Sequence, residues 1–491
     1  MNVLIADFWL VLNSVSAREA EIMLNLKEKG DRIYYLECDG MTTAGCGFSV
    51  FKKSSSCSLC RYKRNRDHRV CGISSYITEK LKFDRIVSGT TQLIPYREYK
   101  NIGQLMELEY KGIDIGRGIA ALINTDFRDS DPELTSELQQ VVNSFANELA
   151  AYIDFLEDVI EKYHIDAAYI FNGRIGYQRA TLRMMQQKNI DAYVHEDAGA
   201  VGKYALFYNS YPHSVVLSHG EIDSIWDLNC NTALKEQKSK EWFAGRETGA
   251  SILHERYHFV KDQISGDMPF IKSGKLNVAV FISSEDEFVT IQELDTWYRN
   301  QNEVLKQIAD FNWGERVNFI VRVHPNLKDL DNAQTKGLKE ISGQNITIIP
   351  AESSVSSYQL LKECDAALVF ISTMGIEACY WKKPVIILGK PAYKDLLTTV
   401  KPGSFEALCE AIENFEKTDF HLEENYIAAL KYAWYQMNYG IEFKYFKALD
   451  LFYYKYTGKR NAWFYYYEIL EFFRRGYKKL RRRIAGDRRK T

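Results

Sequence analysis

Several apolar runs in this 491-residue chain end in residues that do chemistry. Val321-Arg322-Val323-His324-Pro325-Asn326 sets an arginine and a histidine at the end of a strand-like run. Guanidinium and imidazole there bind phosphate through charge-assisted hydrogen bonds. Phe370-Ile371-Ser372-Thr373-Met374-Gly375-Ile376-Glu377 ends another run with two hydroxyls and a glycine before a helical stretch. A helix start offers unpaired N–H groups and positive dipole to a phosphate, although Ser and Thr are equally ordinary helix caps. Phe171-Asn172-Gly173-Arg174 and Val194-His195-Glu196-Asp197 close two more runs, with Pro212-His213-Ser214 beyond. An acid at a strand end facing a cleft takes a proton from a hydroxyl. Glu196 is the first candidate base, Asp197 the second, and His195 the candidate from another residue class. The competing reading is that the two acids cap a turn or pair with Arg174.

Two further patterns carry chemistry. Ile282-Ser283-Ser284-Glu285-Asp286-Glu287 follows a strand at the position of a phosphate loop in doubly wound folds. It has Ser and acids in place of a glycine fingerprint, so it is no dinucleotide motif, and a solvated acidic loop fits equally well. Cys38, Cys46, Cys57 and Cys60 stand at C-x7-C-x10-C-x2-C. Four thiolates hold a structural Zn²⁺, and C-x2-C is the usual half of such a site. An iron–sulfur cluster takes the same ligands. Unliganded thiols are the alternative, because only one half has metal-site spacing. Asp129-Ser130-Asp131 and Asp329-Leu330-Asp331 do not directly end apolar strands. They imply no obligatory catalytic metal, and no cofactor is expected for catalysis.

The elements that must position these residues alternate between strand and helix. Val3–Ile5, Arg32–Glu37, Ala167–Phe171 and Ala192–His195 read as strands, with helices at 17–29, 130–163 and 179–188. A Cys-rich, basic insertion at 38–71 interrupts them with little periodicity. A helix near 254–264 precedes Gly266-Asp267-Met268-Pro269, a run of turn formers that marks a domain boundary. A second set follows, with strands at 276–282, 317–323, 346–349, 366–370 and 385–388, and helices at 290–311, 357–362 and 376–380. The expected architecture is α/β: two doubly wound, Rossmann-like domains facing across a cleft, at 1–265 and 266–440, with C-terminal helices and a basic tail at 441–491.

Composition narrows the function classes. Apolar residues make up 46% and charged residues 26%, as in ordinary globular chains. No apolar run reaches the length of a membrane span, and the acid at Asp7 speaks against a secretory leader. The expected compartment is the cytoplasm. Net charge is -2 overall, yet the stretch from Lys459 onward has twelve Lys and Arg against three acids. Trp463, Phe464, Tyr465, Tyr466 and Tyr467 precede its arginine clusters. Aromatic and basic residues together suit an anionic membrane face. Nucleic acid is not expected, since no recognised motif accompanies the charge.

The strings VRVHPN, SSVSSYQLL and CDAALVFISTMGIEACYWKKPVIILG resemble the C-terminal half of bacterial surface-polysaccharide glycosyltransferases with the GT-B fold. The resemblance extends to sialic-acid and Kdo transferases. It implies that His324 and Pro325, with Ser372 and Thr373, bind the phosphate of a nucleotide-sugar donor, and that Glu377 contacts donor ribose. Arg322, Gly375, Ser283 and Ser284 join the expected donor side. Asn172, Arg174 and His213 join the acceptor side. The implied reaction moves a hexosyl, sialyl or Kdo group to a glycan or lipid-linked acceptor in capsule or lipopolysaccharide O-antigen synthesis, with inversion and without a metal. A CMP-linked donor is slightly favoured over UDP or GDP. The rival readings are a polyol-phosphate transferase, a sugar-nucleotide epimerase on the same fold, and a non-catalytic membrane scaffold.

Overall fold

The computed structural model describes residues 1–6, 13–38, 46, 50–51, 54–83, 93–249, 260, 262–264, 266–450, 452–467 and 469–470. Two sheets organise them. The first holds β1 (Asn2–Ile5), β2 (Arg32–Glu37), β3 (Ile77–Lys82), β4 (Ala167–Phe171), β5 (Asp191–Asp197) and β6 (Lys203–Tyr208). The second holds β7 (Leu276–Phe281), β8 (Val317–Arg322), β9 (Ile346–Ile349), β10 (Ala366–Val369) and β11 (Val385–Ile387) in the order β11-β10-β7-β8-β9, parallel throughout. Strands such as Ala167–Phe171 and Ala366–Val369 are buried along their whole length. That is the signature of parallel strands covered on both faces, and it is why they read as unbroken apolar runs. The result is the expected α/β architecture of two doubly wound, Rossmann-like lobes.

The chain returns to the first lobe at its end. β12 (Ile441–Glu442) pairs antiparallel with β6 and makes the first sheet seven-stranded, in the order β12-β6-β5-β4-β1-β2-β3. β13 (Phe446–Ala448) and β14 (Tyr454–Tyr456) form a hairpin. Phe446, Tyr454 and Tyr456 pack with Val3, Ile5 and Tyr35. The Glu21 carboxylate accepts the backbone N–H groups of Lys444 and Tyr445 at 2.8 and 2.9 Å. The region after 440 therefore begins with strands where helices were expected. Only residues 462–467 and 469–470 within it are helical among those described. The basic clusters from Arg474 onward lie outside the described residues.

Other expectations shift for identifiable reasons. Residues 219–247, expected with the first lobe, form helices His219–Asp227 and Thr232–Glu247. They pack Ile222 and Phe243 into the second lobe's core with Ala279 and Ile376. The Cys-rich insertion contains the helix Ser54–Val70. Polar contacts hold it, including Arg64 to Glu37 at 2.9 Å and His68 to Glu19 at 3.2 Å, so no apolar period betrays it. The expected helix at 290–311 starts only at Gln301, where the Asn300 side chain accepts the Glu303 N–H. The helix expected near 254–264 falls mostly outside the described residues.

The loop after β7 joins the lobes. Ile291 and Leu294 belong to the first lobe's apolar core. Arg128 Nε donates to Asp286 at 3.0 Å, and Asn332 donates to the Arg128 carbonyl at 2.7 Å. Between these contacts Glu285 is buried, accepting the Gln301 N–H at 2.5 Å. Burial pushes its carboxyl up to about 7, with Asp286 adding to the effect. A raised carboxyl stabilises the fold below its unfolded value of about 4.5, and that stabilisation is lost as pH rises through about 7. Glu285→Gln, which keeps an acceptor without the charge, is expected to gain on the wild type between pH 5 and pH 8. Denaturant midpoints at the two pH values check this, and an unchanged difference would refute it.

Candidate functional site

The donor-side residues gather on the second lobe. A small cavity of about 70 Å³ at the carboxyl ends of β7, β8 and β10 is lined by Arg322, His324, Pro325, Tyr358, Ser372, Thr373, Glu377 and Arg246. His324 Nδ1 accepts the Asn326 N–H at 3.1 Å. Burial, with the charges of Arg322 and Arg128, pushes the His324 imidazole down to about 4. The ring is thus neutral at pH 7, and with Nδ1 accepting, Nε2 carries the proton. It is a hydrogen-bond donor, not a cation.

Ser372 Oγ accepts the Met374 N–H at 3.2 Å at the start of the helix Met374–Tyr380. The Ser372 carbonyl accepts the Tyr393 hydroxyl. A Cβ on Gly375 would overlap that hydroxyl and the Val369 side chain. Gly375 thus serves the close fit of helix to strand.

The structure shows what holds the other donor-side residues. Glu377 lines the cavity, but it is 1% exposed and its oxygens are taken. Arg246 Nη2 donates at 2.7 Å, Thr373 Oγ1 donates at 3.0 Å, and the Tyr358 hydroxyl donates to the other oxygen. It is buried and organises the cavity through these three contacts. Arg322 directs Nη1 to the Pro350 carbonyl at 2.7 Å and Nη2 to the Ser353 carbonyl at 2.9 Å. Its guanidinium braces loops, with only Nε lacking a partner among the described residues. Ser283 and Ser284 are buried in their own loop, with Ser284 donating to Asp286. Neither reaches the cavity wall. Arg246 and Tyr358 were missed, because neither follows a strand and each acts through a partner far along the chain.

The first lobe supplies the facing wall. Asn172 and Gly173 both adopt positive φ, 59° and 71°, which suits an Asn-Gly pair at a sharp turn. Asn172 donates to Glu196 Oε2 at 3.1 Å. Arg18, fully buried in the helix Asn13–Lys29, donates Nε to His195 Nδ1 at 3.1 Å and Nη2 to Glu196 Oε1 at 3.4 Å, and also pairs with Asp197. All three expected base candidates are therefore gathered on one guanidinium. The expected pairing of the acids with Arg174 is not what the structure shows. Arg18 lies outside every strand-end motif, so sequence spacing carried no sign of it.

Between the lobes, a cleft of about 510 Å³ is lined by Asn172, Arg174, Glu196, Asp197, His213, Arg128, Asp286 and Glu287. His213 is exposed on the wall of this cleft. Glu287 also faces the cleft. Desolvation, reinforced by Asp286, holds its carboxyl above the ordinary range, opposed by Arg174 and Arg128. Its loop was noted in the sequence, but Glu287 was not singled out there.

The thiols do not assemble as the spacing suggested. Cys57 and Cys60 lie one turn apart on the helix Ser54–Val70, and Cys60 packs against Val15 and Phe171. Burial and Glu148 raise the Tyr177 hydroxyl, and Cys38 and Cys46 lie near enough to add to the effect. Among the described residues, no three His, Cys, Asp or Glu side chains are grouped to hold a metal ion. No described helix is long and apolar enough to cross a membrane.

Residues 285–399 match the model of a family described as capsule polysaccharide biosynthesis protein. The segment contains His324, Ser372, Thr373 and Glu377, so the resemblance seen in their motifs holds there. No curated protein matches the chain. Among solved structures, the chain is similar to the beta Kdo 2,7 transferase of Thermosulfurimonas dismutans KpsC, at 15% identity over 56% of this chain and 79% of that one, with a TM-score of 0.33. It is also similar to the UDP-GlcNAc 2-epimerase of Neisseria meningitidis, at 11% identity over 87% and 94%, with a TM-score of 0.24. The corresponding enzyme of Methanocaldococcus jannaschii gives 12% identity over 86% and 94%, with a TM-score of 0.26.

The Arg18 cluster makes a direct test. Arg18→Met leaves two partly buried carboxylates without their cation, and breaking a buried pair from one side costs about 3–5 kcal/mol. The expected loss at pH 7 is of that order, measured by denaturant unfolding. A loss within the range of a surface substitution would show that Arg18 does not hold the β5 end.

Proposed function

We propose that this chain is a glycosyltransferase of bacterial surface-polysaccharide synthesis. In this reading a nucleotide sugar lies against the second lobe and a glycan or lipid-linked acceptor enters from the first. One observation carries it: the neutral, donating His324 and the Ser372 turn stand at strand ends of one lobe, while the acids of the other lobe and the β7 loop line the adjoining cleft. The capsule-family match over 285–399 supports the same class.

The chemistry follows from what these groups can do. His324 Nε2 and Ser372 Oγ donate to the donor phosphate, and these donors steady the negative charge that grows as the nucleotide leaves. The acceptor oxygen bonds to the anomeric carbon as the bond from that carbon to the phosphate oxygen breaks. A cleft carboxylate takes the acceptor proton. Glu287 suits this better than Glu196. Its raised carboxyl is the stronger base and has no hydrogen-bond partner among the described residues, while both Glu196 oxygens accept from Arg18 or Asn172. Attack opposite the leaving nucleotide inverts the anomeric centre. The nucleotide is CMP by the motif resemblance, with UDP and GDP as alternatives.

In the same reading the enzyme works at the cytoplasmic face of a membrane. Trp463, Tyr465, Tyr466, Ile469 and Leu470 are exposed next to the basic C-terminal stretch. Aromatic and aliphatic side chains with Lys and Arg suit an anionic lipid surface.

Thermal unfolding with CMP, CDP, UDP, GDP and TDP tests the donor site. A nucleotide at about 100 times its Kd stabilises by about 2.7 kcal/mol. One is expected to do so for the wild type and not for His324→Ala. Stabilisation by none speaks for the scaffold reading. In turnover with donor and acceptor, Glu287→Gln is expected to lower kcat about 10²-fold or more at unchanged nucleotide affinity. Full activity in that variant would remove Glu287 as the base, and donor conversion without any acceptor would favour an epimerase.

A further inference from the structure

Arg174 stands in the loop between β4 and the helix Gly176–Gln187, on the wall of the inter-lobe cleft. It is 6% exposed. Its Nη2 donates to Thr125 Oγ1 at 3.0 Å, and Thr125 in turn donates to the Ala121 carbonyl at 2.7 Å. One side of the guanidinium is thereby anchored. Nε and Nη1 have no hydrogen-bond partner among the described residues.

The acids whose charges reach Arg174 are Glu287, Asp286 and Glu196. Asp286 is engaged by Arg128 at 3.0 Å, and Glu196 by Arg18 and Asn172 at 3.4 and 3.1 Å. Glu287 belongs to the opposite lobe and lines the same cleft. His213 lines the same wall and adds hydrogen-bonding capacity. A buried guanidinium is costly unless something of opposite charge meets it. Among the other buried arginines described, Arg18, Arg64, Arg179 and Arg246 each hold a carboxylate, and Arg322 places both terminal nitrogens on main-chain carbonyls.

We infer that Arg174 receives an anionic group of the acceptor, a carboxylate or a phosphate, so that the acceptor is an acidic glycan or a phosphorylated one. This rests on the acceptor reading of the first lobe given above. Arginine is the side chain that best recognises either group, through several directed N–H donors.

Calorimetric titration of the full chain with glucuronate, glucose 6-phosphate and glucose tests it in the wild type, Arg174→Lys and Arg174→Met. A nucleoside diphosphate titration in each variant reports the donor pocket separately. The wild type is expected to bind at least one acid about tenfold or more tightly than glucose. Arg174→Met loses that preference and Arg174→Lys keeps part of it. The preferred acid tells carboxylate from phosphate. Unliganded Arg174→Met is expected to melt at or above the wild type, because an unpaired buried charge has been removed. Equal binding of acids and glucose by the wild type overturns the inference. So does no acid binding, an undiminished preference in Arg174→Met, or a lowered melting midpoint in that variant. Failure of every nucleotide to bind, with the acid preference intact, removes the donor reading and leaves the anion site standing.

Discussion

Parallel strands all point the same way, and that constraint arranges everything else in this molecule. In each lobe the carboxyl ends of neighbouring strands open onto one side of the sheet, and ligands of such sheets bind there. β8 delivers His324, β10 delivers Ser372, and β7 delivers the acidic loop through Glu287. β4 delivers Asn172 and Arg174, and β5 delivers His195, Glu196 and Asp197. The lobes meet through that same β7 loop, with Arg128 on Asp286 and with Ile291 and Leu294 in the first lobe's core. The segment that forms one wall of the cleft is thus also the joint between the lobes. Changes to it will alter both.

Buried arginines divide the labour in this cleft, and their partners reveal how. Arg18 gathers three side chains at the end of β5. Arg246 fixes Glu377 and Thr373 at the start of a helix. Arg322 spends its terminal nitrogens on main-chain carbonyls of the loop after β9. Each is a fixed strut, because terminal nitrogens of its guanidinium are held within the protein. Arg174 differs in leaving both Nε and Nη1 without a partner among the described residues, on a cleft wall. A strut and a ligand-binding residue are the same amino acid in the sequence. Only the count of satisfied donors separates them.

That distinction also explains what could be read from residue order. The strands were legible because burial on both faces leaves unbroken apolar runs. β2, β4 and β9 match the sequence reading residue for residue. The strand-end motifs were legible because an apolar run followed by His, Ser or acid is a local pattern. Glu377 was visible as part of such a motif, but its engagement with Arg246 and Tyr358 was not. Arg18 lies 178 positions from Glu196, and Arg246 lies 131 positions from Glu377. Neither pairing leaves a local trace. The helix Ser54–Val70 was hidden for a related reason, since its buried face is charged.

The electrostatics of the buried groups pull stability in two directions with pH. His68 and His324 are held neutral well below the ordinary imidazole value of 6.5, at about 3 and 4, each mainly by burial. Between about 4 and 6.5 the unfolded chain therefore binds protons that the folded chain refuses, and folding gains as pH rises. Glu285 works the other way. With its carboxyl at about 7, the folded chain keeps a proton that the unfolded chain releases above about 4.5. The histidine contribution nears completion at about pH 6.5, while the Glu285 contribution is lost through about pH 7. With two histidines set against one carboxyl, the most favourable pH for these groups lies near neutrality, where the two burial effects balance. The neutral imidazole donor at His324 persists through that window, because burial at the strand end withholds water from it.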